Sequence, residues 1–392
     1  MPQPNQPAAS PAQINRAQRN AVLQAAVPMR QQVATAAIAA LSGATAQVNL
    51  IPRFVGLWKK FVIKITGTVN NTGATAIDLT DFGLANLLQS VQFLDLNGNQ
   101  RVLTSGMHLA LLASVKEQFP GVSSALLATA LSQFGNFGDN FNVIVAPASI
   151  ANGTSANFTM YFELPCAYSD EDLRGAIWGG VVNATANIQL NFNSNPIVAA
   201  GSDSTFAVYK GGAGNISGIA ISLYQEYLDQ VPRDPKTGSP ILPIQDLATV
   251  YLLNNTQFTG IPANQDFPLP FANFRDFLST FVLYNHDGSA DAGRTGGTDI
   301  SYLSLQSANT TNIDKVDPIT HAYRTRKMLK SDLPPGTYYN SYRKKPISTI
   351  AYGNMQIILN ASTATQATNY ANVMWEQFAL VNQLTQGGSL AG

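Results

Sequence analysis

Few residues in this chain could perform chemistry, and they are scattered along it. His108, His286 and His321 are the only histidines, and Cys166 is the only cysteine. No nucleophile-elbow, zinc-protease or phosphate-loop motif accompanies them, and a single thiol cannot form a metal-binding cysteine pair. His108 and His321 fall at comparable places in two predicted helices, which favours a structural role over acid–base catalysis. The sequence therefore predicts no enzyme activity, no cofactor and no metal site.

One polar loop resembles the start of a calcium site. Asp95, Asn97 and Asn99 have the spacing that opens an EF-hand loop, but the glycine and the bidentate glutamate of such a loop are both missing. The dipeptide Asn97-Gly98 instead predicts a type I′ hairpin turn, because it tolerates a positive φ at both central positions. We interpret this loop as a hairpin turn.

Two other charged segments leave binding roles open. The loop around Asp287 and Asp291 is predicted either to hold a weakly bound ion or to be a solvated, glycine-rich tip. Residues 319–345 include seven Lys or Arg and one acid, and they are expected either to contact nucleic acid or to form salt bridges with acidic neighbours. No aromatic stacking platform is recognisable there, so we predict no sequence-specific nucleic-acid binding.

The composition indicates a protein whose surface is covered by other subunits. Charged residues make up 12% of the 392 residues, about half of the roughly 25% that is usual. Residues 1–77 have seven basic residues and no acid, whereas the remaining chain has 16 basic and 23 acidic residues. Either the N-terminal end faces an anionic partner such as lipid or nucleic acid, or the basic residues cluster by chance.

The N-terminal segment, residues 1–48, is predicted to be an arm outside the core. It is rich in Ala and Gln, and its periodicity predicts two weak helices over 12–26 and 29–41, separated at Pro28. The single cysteine indicates maturation in a reducing compartment.

Strands are predicted from about residue 47 to residue 228. Apolar and polar residues alternate there with a period of two, which is typical of strands with one face in a core. A helix is predicted over 106–117, and another short helix from Ser169. The predicted core positions include Phe61, Ile63, Val91, Phe93, Phe158, Phe162, Ile188 and Phe192.

One unit of the chain occurs twice. Asp81 is expected to cap a short helix that leads into a strand over Leu88–Leu96, and a related unit follows about 190 residues later over Phe271–Gly288. A proline-rich linker at 230–243 separates the two copies. Three further matches keep the same order, with offsets of up to 214 residues: the helices 106–117 and 320–329, the strands 141–145 and 355–359, and the strands at Met160 and Met374. We therefore predict a duplicated all-β fold of two antiparallel jelly-roll sandwiches.

Four segments of the chain resemble the major capsid protein of tectiviruses, tailless icosahedral phages with an internal membrane. These segments are Ile77–Leu87, Ala167–Leu173, Ile241–Leu247 and Thr298–Leu303. The similarity extends in order along nearly the whole chain. It implies a double jelly roll with a partly helical N-terminal arm.

The resemblance also implies an organisation and a function. The expected parts are the arm (1–48), a first jelly roll (49–235), a second jelly roll (236–384) and a C-terminal tail (385–392). Homotrimers of such a protein would be assembled in the host cytoplasm and would tile an icosahedral shell around an internal membrane and the genome. Neighbouring trimers, vertex or penton proteins and minor capsid proteins are the implied protein partners.

The arm is implied to lie on the inner side of the shell, close to the lipids of the internal viral membrane. We predict on this basis that Arg16, Arg19 and Arg30 face the membrane.

The alternative is a trimeric receptor- or carbohydrate-binding jelly-roll spike, since jelly rolls serve both roles. A spike of this kind would need a concave aromatic site and would not assemble into closed particles. An enzyme ranks below both because no set of catalytic residues converges in the sequence.

Overall fold

Strands form most of the structure. The computed structural model describes residues 10–41, 43, 46–116, 143–145, 147–181, 185–288, 299–307, 311–329, 333–362 and 368–381. Asp291 and the predicted tail at 385–392 lie outside these described residues. The strands are β1 (Val27–Leu41), β2 (Ala46–Leu50), β3 (Leu57–Asn71), β4 (Ile77–Leu79), β5 (Leu88–Leu94), β6 (Gln100–Thr104), β7 (Val143–Val145), β8 (Ser149–Ile150), β9 (Ser155–Pro165), β10 (Ile177–Trp178), β11 (Asn187–Phe192), β12 (Ile197–Val198), β13 (Tyr209–Lys210), β14 (Gly214–Asp229), β15 (Thr249–Thr259), β16 (Asp266–Pro270), β17 (Asp276–Asn285), β18 (Ile300–Ser307), β19 (Thr311–Val316), β20 (Thr337–Ser341), β21 (Ile347–Ser348), β22 (Met355–Ala361) and β23 (Tyr370–Leu380).

Helices occur between the strands at a few positions. The helical segments are α1 (Pro11–Ala25), a 3₁₀ turn (Gly83–Leu87), α2 (Gly106–Lys116), and the helices Ile244–Leu247, Pro318–Leu329 and Thr349–Tyr352. Helix α1 begins with a capping box, in which Ser10 Oγ accepts from the Gln13 backbone N–H and Gln13 Oε1 accepts from the Ser10 N–H. The helices predicted over 106–117 and 320–329 are confirmed.

A nine-stranded sheet extends through both halves of the chain. Its strand order is β2-β11-β5-β6-β15-β23-β17-β20, with β21 paired to β17. The two halves meet where β6 and β15 pair in parallel, with Val102 opposite Leu253. Because this pairing is made by backbone hydrogen bonds, the halves are joined by a continuous sheet as well as by the chain connection.

Each half of the shared sheet is covered by a second sheet, which makes two sandwiches. The first covering sheet has the order β1-β14-β3-β9-β7, and the second has the order β16-β22-β18-β19. A small sheet, β12-β13-β4-β8, closes one side of the first sandwich. The prediction of two consecutive jelly rolls agrees with this arrangement.

The core of the first sandwich lies between β3, β9 and β14 on one side and β2, β5 and β11 on the other. All eight core positions named from the sequence belong to this cluster, and none is more than 2% exposed: Phe61, Ile63, Val91, Phe93, Phe158, Phe162, Ile188 and Phe192. A separate cluster around Phe277, Leu359 and Trp375 fills the second sandwich. Alternation along each strand therefore places one set of side chains inward.

Helix α2 packs between the two halves. Its Leu109 and Leu112 belong to the core of the first sandwich. Its Met107 and Leu111 pack instead against a cluster from β17, β20 and β23 that includes Phe281. The second half of the shared sheet is therefore buried on both faces, which explains why β17 and β23 are apolar with little alternation.

The second predicted helix of the arm is wrong, because residues 27–41 form β1. This strand pairs antiparallel with β14 along its whole length, from Val27 opposite Asp229 to Leu41 opposite Ile216. Alanine favours helices, but the ladder with β14 and the packing of Val33 and Ile38 on the first core override that preference here. Pro28 is tolerated because β1 is an edge strand.

The hairpin between β5 and β6 is confirmed, but its turn type is different from the predicted one. Gly98 has a φ of 74°, whereas Asn97 is not among the residues with positive φ. The Gly98 N–H donates to the Asp95 carbonyl at 2.9 Å, and the Asp95 N–H donates to the Asn99 carbonyl at 2.9 Å. This pattern is a type I turn followed by a glycine bulge, which also matches the twist of the strands.

Two predicted helix starts are also wrong. Asp81 does not cap the 3₁₀ turn, because Phe82 occupies the cap position without a capping side chain, and Thr80 Oγ1 accepts from the Gly83 N–H at 3.2 Å. Ser169 Oγ accepts from the Asp172 N–H at 3.0 Å, as in a capping box, but the chain turns there without forming a helix. A capping hydrogen bond alone therefore does not nucleate a helix.

The strand order supports the predicted duplication of the chain, but two of the four sequence matches between its halves are wrong. In the shared sheet, β5 and β17 occupy the third position of their halves, as the 190-residue match requires. However, β22 corresponds to β9, because β9 pairs with β3 and β22 pairs with β16, and β3 and β16 each follow the first shared-sheet strand of their half. Strand β23 corresponds to β11, since each is second in its half of the shared sheet. Two of the sequence matches therefore pair the wrong strands: residues 141–145 with 355–359, and Met160 with Met374. Each is displaced by one strand, because both matches rest on short apolar runs.

We predict that Phe158→Ala and Phe192→Ala each reduce the free energy of unfolding by about 3 to 5 kcal/mol, because each leaves a cavity in the first core. The neighbouring changes Thr159→Ala and Gln189→Ala should cost at most about 0.5 to 1 kcal/mol, since both side chains point away from that core. Denaturant titration measures both sets. Equal losses at inward and outward positions would contradict the assigned register.

Candidate assembly surfaces and buried polar sites

Helix α1 is fastened to the connection between the halves by a buried carboxylate. Asp246 is 2% exposed and lies in the helix Ile244–Leu247. It accepts from Arg19 Nε at 2.6 Å, from Arg19 Nη2 at 2.8 Å and from Asn15 Nδ2 at 2.9 Å. Asn15 Oδ1 in turn accepts from the Gln245 N–H at 2.9 Å. The arm is thus anchored at its helix, and Val22 packs in an apolar cluster beside this anchor.

The three arginines predicted to face lipid have different surroundings. The guanidinium of Arg19 is bound to Asp246, so its charge is neutralised within the chain. Arg30 lies in β1 and has a 3.4 Å contact with Glu226, with its side chain 56% exposed. Arg16 is exposed on α1. Of the three, Arg16 and Arg30 are therefore the exposed ones, and Arg30 shares its charge with Glu226.

A second buried carboxylate links three strands of the shared sheet. Glu376 in β23 is fully buried and accepts from Tyr251 Oη at 2.6 Å and from Ser279 Oγ at 2.5 Å. Arg343 Nη2 also donates to it, at 2.8 Å. Burial alone would lower the pKa of the Arg343 guanidinium, but Glu376, Tyr339 and Tyr251 together raise it. The pair is charged and structural.

His108, His321 and the cysteine are buried. His108 is fully buried, its Nδ1 lies 2.6 Å from Thr104 Oγ1, and burial lowers the pKa of its ring to about 3. Burial raises the pKa of the Cys166 thiol to about 12. Burial also lowers the pKa of His321, whose Nε2 lies 3.1 Å from Asn340 Oδ1. None of these groups is poised as a nucleophile or general base near pH 7.

The loop that resembled a calcium site is closed by protein groups. Asp95 is 1% exposed, and its Oδ1 accepts from the N–H groups of Asn97 and Asn99 at 2.9 and 3.0 Å. Its Oδ2 accepts from Arg101 Nε at 2.8 Å, and Arg101 Nη1 donates to the Gly175 carbonyl. Within the described residues, no group of three or more His, Cys, Asp or Glu side chains could hold a metal ion.

A cleft in the first half is lined by charges that neutralise one another. It has a volume of about 270 Å³ and lies between α2 and the ends of β3 and β9. Lys60 Nζ on its wall donates to Glu163 at 2.8 Å, and Lys59 pairs with Asp170. Burial would lower the pKa of Lys60, but Glu163, Glu226 and Asp170 together raise it. The cleft is therefore not set up to bind a charged substrate.

The basic segment 319–345 forms some of the salt bridges that were predicted as an alternative to nucleic-acid contact. Arg324 donates to Asp314 at 2.8 Å, and Arg343 donates to Glu376.

Among the described residues, no helix is long and apolar enough to cross a bilayer.

Comparison with known proteins identifies the family. A profile described as the N-terminal part of the P3 major capsid protein matches residues 5–231, and one for the C-terminal part matches residues 248–391. Major capsid protein P3 of Enterobacteria phage PRD1 is 37% identical over 379 residues, which cover 95% of this chain and 93% of that protein. The chain belongs to the P3 major capsid protein family. The resemblance to tectivirus capsid proteins is confirmed, and this is a structural capsid protein of the virion.

Solved structures show the same fold at low sequence identity. The major capsid protein of Sulfolobus turreted icosahedral virus has a TM-score of 0.61 at 12% identity, covering 93% of this capsid protein and all of that chain. The capsid protein of the virus PBCV-1 has a TM-score of 0.55 at 11% identity, covering 90% and 93%. These capsid proteins are double jelly rolls, so the predicted fold class is confirmed.

Sequence reasoning missed the roles of Asp246 and Glu376 as buried, paired carboxylates. Asp246 follows the proline-rich linker, and Glu376 is the lone acid in an otherwise apolar and polar-neutral strand. An acid within a strand that is apolar on both faces is a usable signal, because such a group must be paired when it is buried. The sequence does not identify the hydrogen-bond partners of Glu376, since Tyr251 is 125 residues away from it.

We predict that His108 makes the protein less stable as the pH falls. The unfolded chain binds a proton at this ring below about pH 6.5, whereas the folded protein does so only near pH 3. Stability is therefore highest above about pH 6.5 and falls toward acid by up to about 1.4 kcal/mol per pH unit. His108→Gln should flatten the dependence of the free energy of unfolding on pH between 6.5 and 4.5.

Denaturant titration at several pH values measures this slope. His286→Gln is the matched control, because that ring is partly exposed. His321 leaves a smaller residual slope, since burial lowers its pKa too. An unchanged slope in His108→Gln would show that this ring is protonated in the folded protein.

Proposed function

We propose that this capsid protein forms homotrimers that tile an icosahedral shell around an internal membrane and the genome. The similarity to the PRD1 major capsid protein over 95% of the chain is the observation that supports this function. Two features of the surface favour self-association. Charged residues are scarce at 12%, and large apolar side chains such as Ile319 and Tyr323 are 76% and 64% exposed.

The proposal includes a division of the chain and a set of partners. We assign residues 49–235 and 236–384 to the two jelly rolls, which is supported by their separate core clusters. Neighbouring trimers, vertex proteins and minor capsid proteins are the proposed protein partners, and the host cytoplasm is the proposed place of assembly. The protein acts through assembly and not through catalysis.

The N-terminal part is proposed to touch the internal membrane. Exposed Arg16 and Arg30 support this contact, whereas Arg19 is proposed to hold the arm on the second jelly roll through Asp246. Each arginine near an anionic surface contributes about 1 kcal/mol. One copy would therefore bind lipid weakly, and many copies in a shell would bind it firmly.

We expect the purified protein to be a trimer at micromolar concentration, because two sandwiches with so few surface charges expose association surfaces. Multi-angle light scattering measures the mass directly against the 41.9 kDa of one chain. A stable monomer under these conditions would count against the proposed shell.

We expect substitution of Arg16 and Arg30 to affect lipid binding, and substitution of Arg19 to affect stability. The double variant Arg16→Gln, Arg30→Gln should keep its free energy of unfolding and lose binding to phosphatidylglycerol vesicles at low salt. Arg19→Gln should instead be less stable, near the lower end of the roughly 3 to 5 kcal/mol for breaking a buried ion pair, because Arg19 is partly exposed.

Vesicle flotation and denaturant titration measure the two effects. Arg233→Gln is the matched control, since Arg233 is also exposed but lies outside the arm. Vesicle binding that survives in the double variant would exclude these two arginines as lipid contacts.

A further inference from the structure

Among the described residues, no carboxylate pairs with the buried Arg275 of the second jelly roll. Arg275 is 6% exposed and lies just before β17. Its Nη1 donates to the carbonyl of Phe274 at 3.0 Å, and its Nε has no hydrogen-bond partner among the described residues. Burial lowers the pKa of this guanidinium below its usual range, since no described carboxylate offsets it. An unpaired charge at a buried position is costly, so an anion brought to Arg275 would stabilise it.

The residue before it has a strained backbone. Phe274 has a φ of 58°, in the left-handed region that bulky side chains avoid. Its ring is 54% exposed, so no burial of the ring within the chain compensates for the strain. Residues in such conformations are concentrated at binding surfaces, where another requirement maintains them.

The strained loop is held rigidly by Thr349. The Arg275 N–H donates to Thr349 Oγ1 at 2.9 Å, and the Thr349 N–H donates to the Arg275 carbonyl at 2.9 Å. Thr349 Oγ1 also lies 3.1 Å from the carbonyl of Ala272. These hydrogen bonds hold the backbone at Arg275 in place, and the adjacent Phe274 lies exposed.

Apolar side chains adjoin the same place. Ile350 and Tyr352 follow Thr349 in the short helix Thr349–Tyr352, and they are 54% and 48% exposed. A rigid aromatic ring, two further apolar side chains and an uncompensated arginine are the composition of an interface centre, where aromatic residues and Arg provide much of the binding energy.

We propose that the surface formed by Phe274, Arg275, Ile350 and Tyr352 docks onto a second copy of this chain, which supplies a carboxylate to Arg275. This inference rests on the proposed self-assembly and names one of its contacts. The charge distribution supports a second copy as the occupant, because residues 78–392 have 23 acidic and 16 basic residues. Asp78 and Glu171 are among the exposed acids.

The test compares the self-association of the full chain with that of three variants by sedimentation velocity over a range of concentrations. Arg275→Gln removes the charge, and Phe274→Gly removes the ring while relieving the backbone strain. Arg233→Gln is the control, because Arg233 is exposed and also donates to a backbone carbonyl. We expect the first two variants to associate at least about tenfold more weakly, as loss of an interface anchor does, and the control to match the wild type.

Thermal melting of the unassembled fraction separates folding from docking. Phe274→Gly should melt at the same temperature as the wild type or higher, because glycine adopts this φ without strain. Weaker association together with undiminished stability supports the proposal. Wild-type association in both Phe274→Gly and Arg275→Gln would overturn it and leave the trimer intact.

Two further outcomes would assign the surface differently. A wild-type chain that stays monomeric would overturn both this inference and the proposed trimer. Wild-type binding to phosphatidylglycerol vesicles that Arg275→Gln abolishes, with self-association unchanged, would overturn the proposal in favour of a lipid phosphate as the anion.

Discussion

The structure depends on the parallel pairing of β6 with β15, which makes one sheet out of two halves. Once this pairing is formed, the second half of the sheet has one face toward its own sandwich and the other toward α2 of the first half. A strand buried on both faces has little room for charge, so the carboxylate of Glu376 must be fully satisfied by Tyr251, Ser279 and Arg343. The two jelly rolls are consequently joined by shared backbone pairing and by the packing of α2.

The N-terminal segment strengthens the same junction from outside. Helix α1 binds Asp246, directly after the linker, and β1 adds an edge strand to the first covering sheet. The segment is thus part of the folded body from Pro11 onward.

The sequence predicted much of the fold, for physical reasons that differ by element. The alternation in β3, β9 and β11 was readable because each strand has one face inward, as Phe162 and Ile188 illustrate. Strand β1 was read as a helix, since its alanines favour helix and its partner β14 lies almost 200 residues away. The anchoring sites were not predictable for the same reason, because Asn15 and Asp246 are 231 residues apart. Propensity is a local property, and pairing over such distances is decided by the whole fold.

If two fused jelly rolls form the repeating unit of a closed shell, cryo-electron microscopy of the particle that contains this protein will show it. We expect capsomers of three copies, each showing two adjacent sandwiches joined by a continuous sheet, with α1 at the junction. Capsomers whose density fits only one sandwich per copy, or copies confined to isolated spikes, would contradict this expectation.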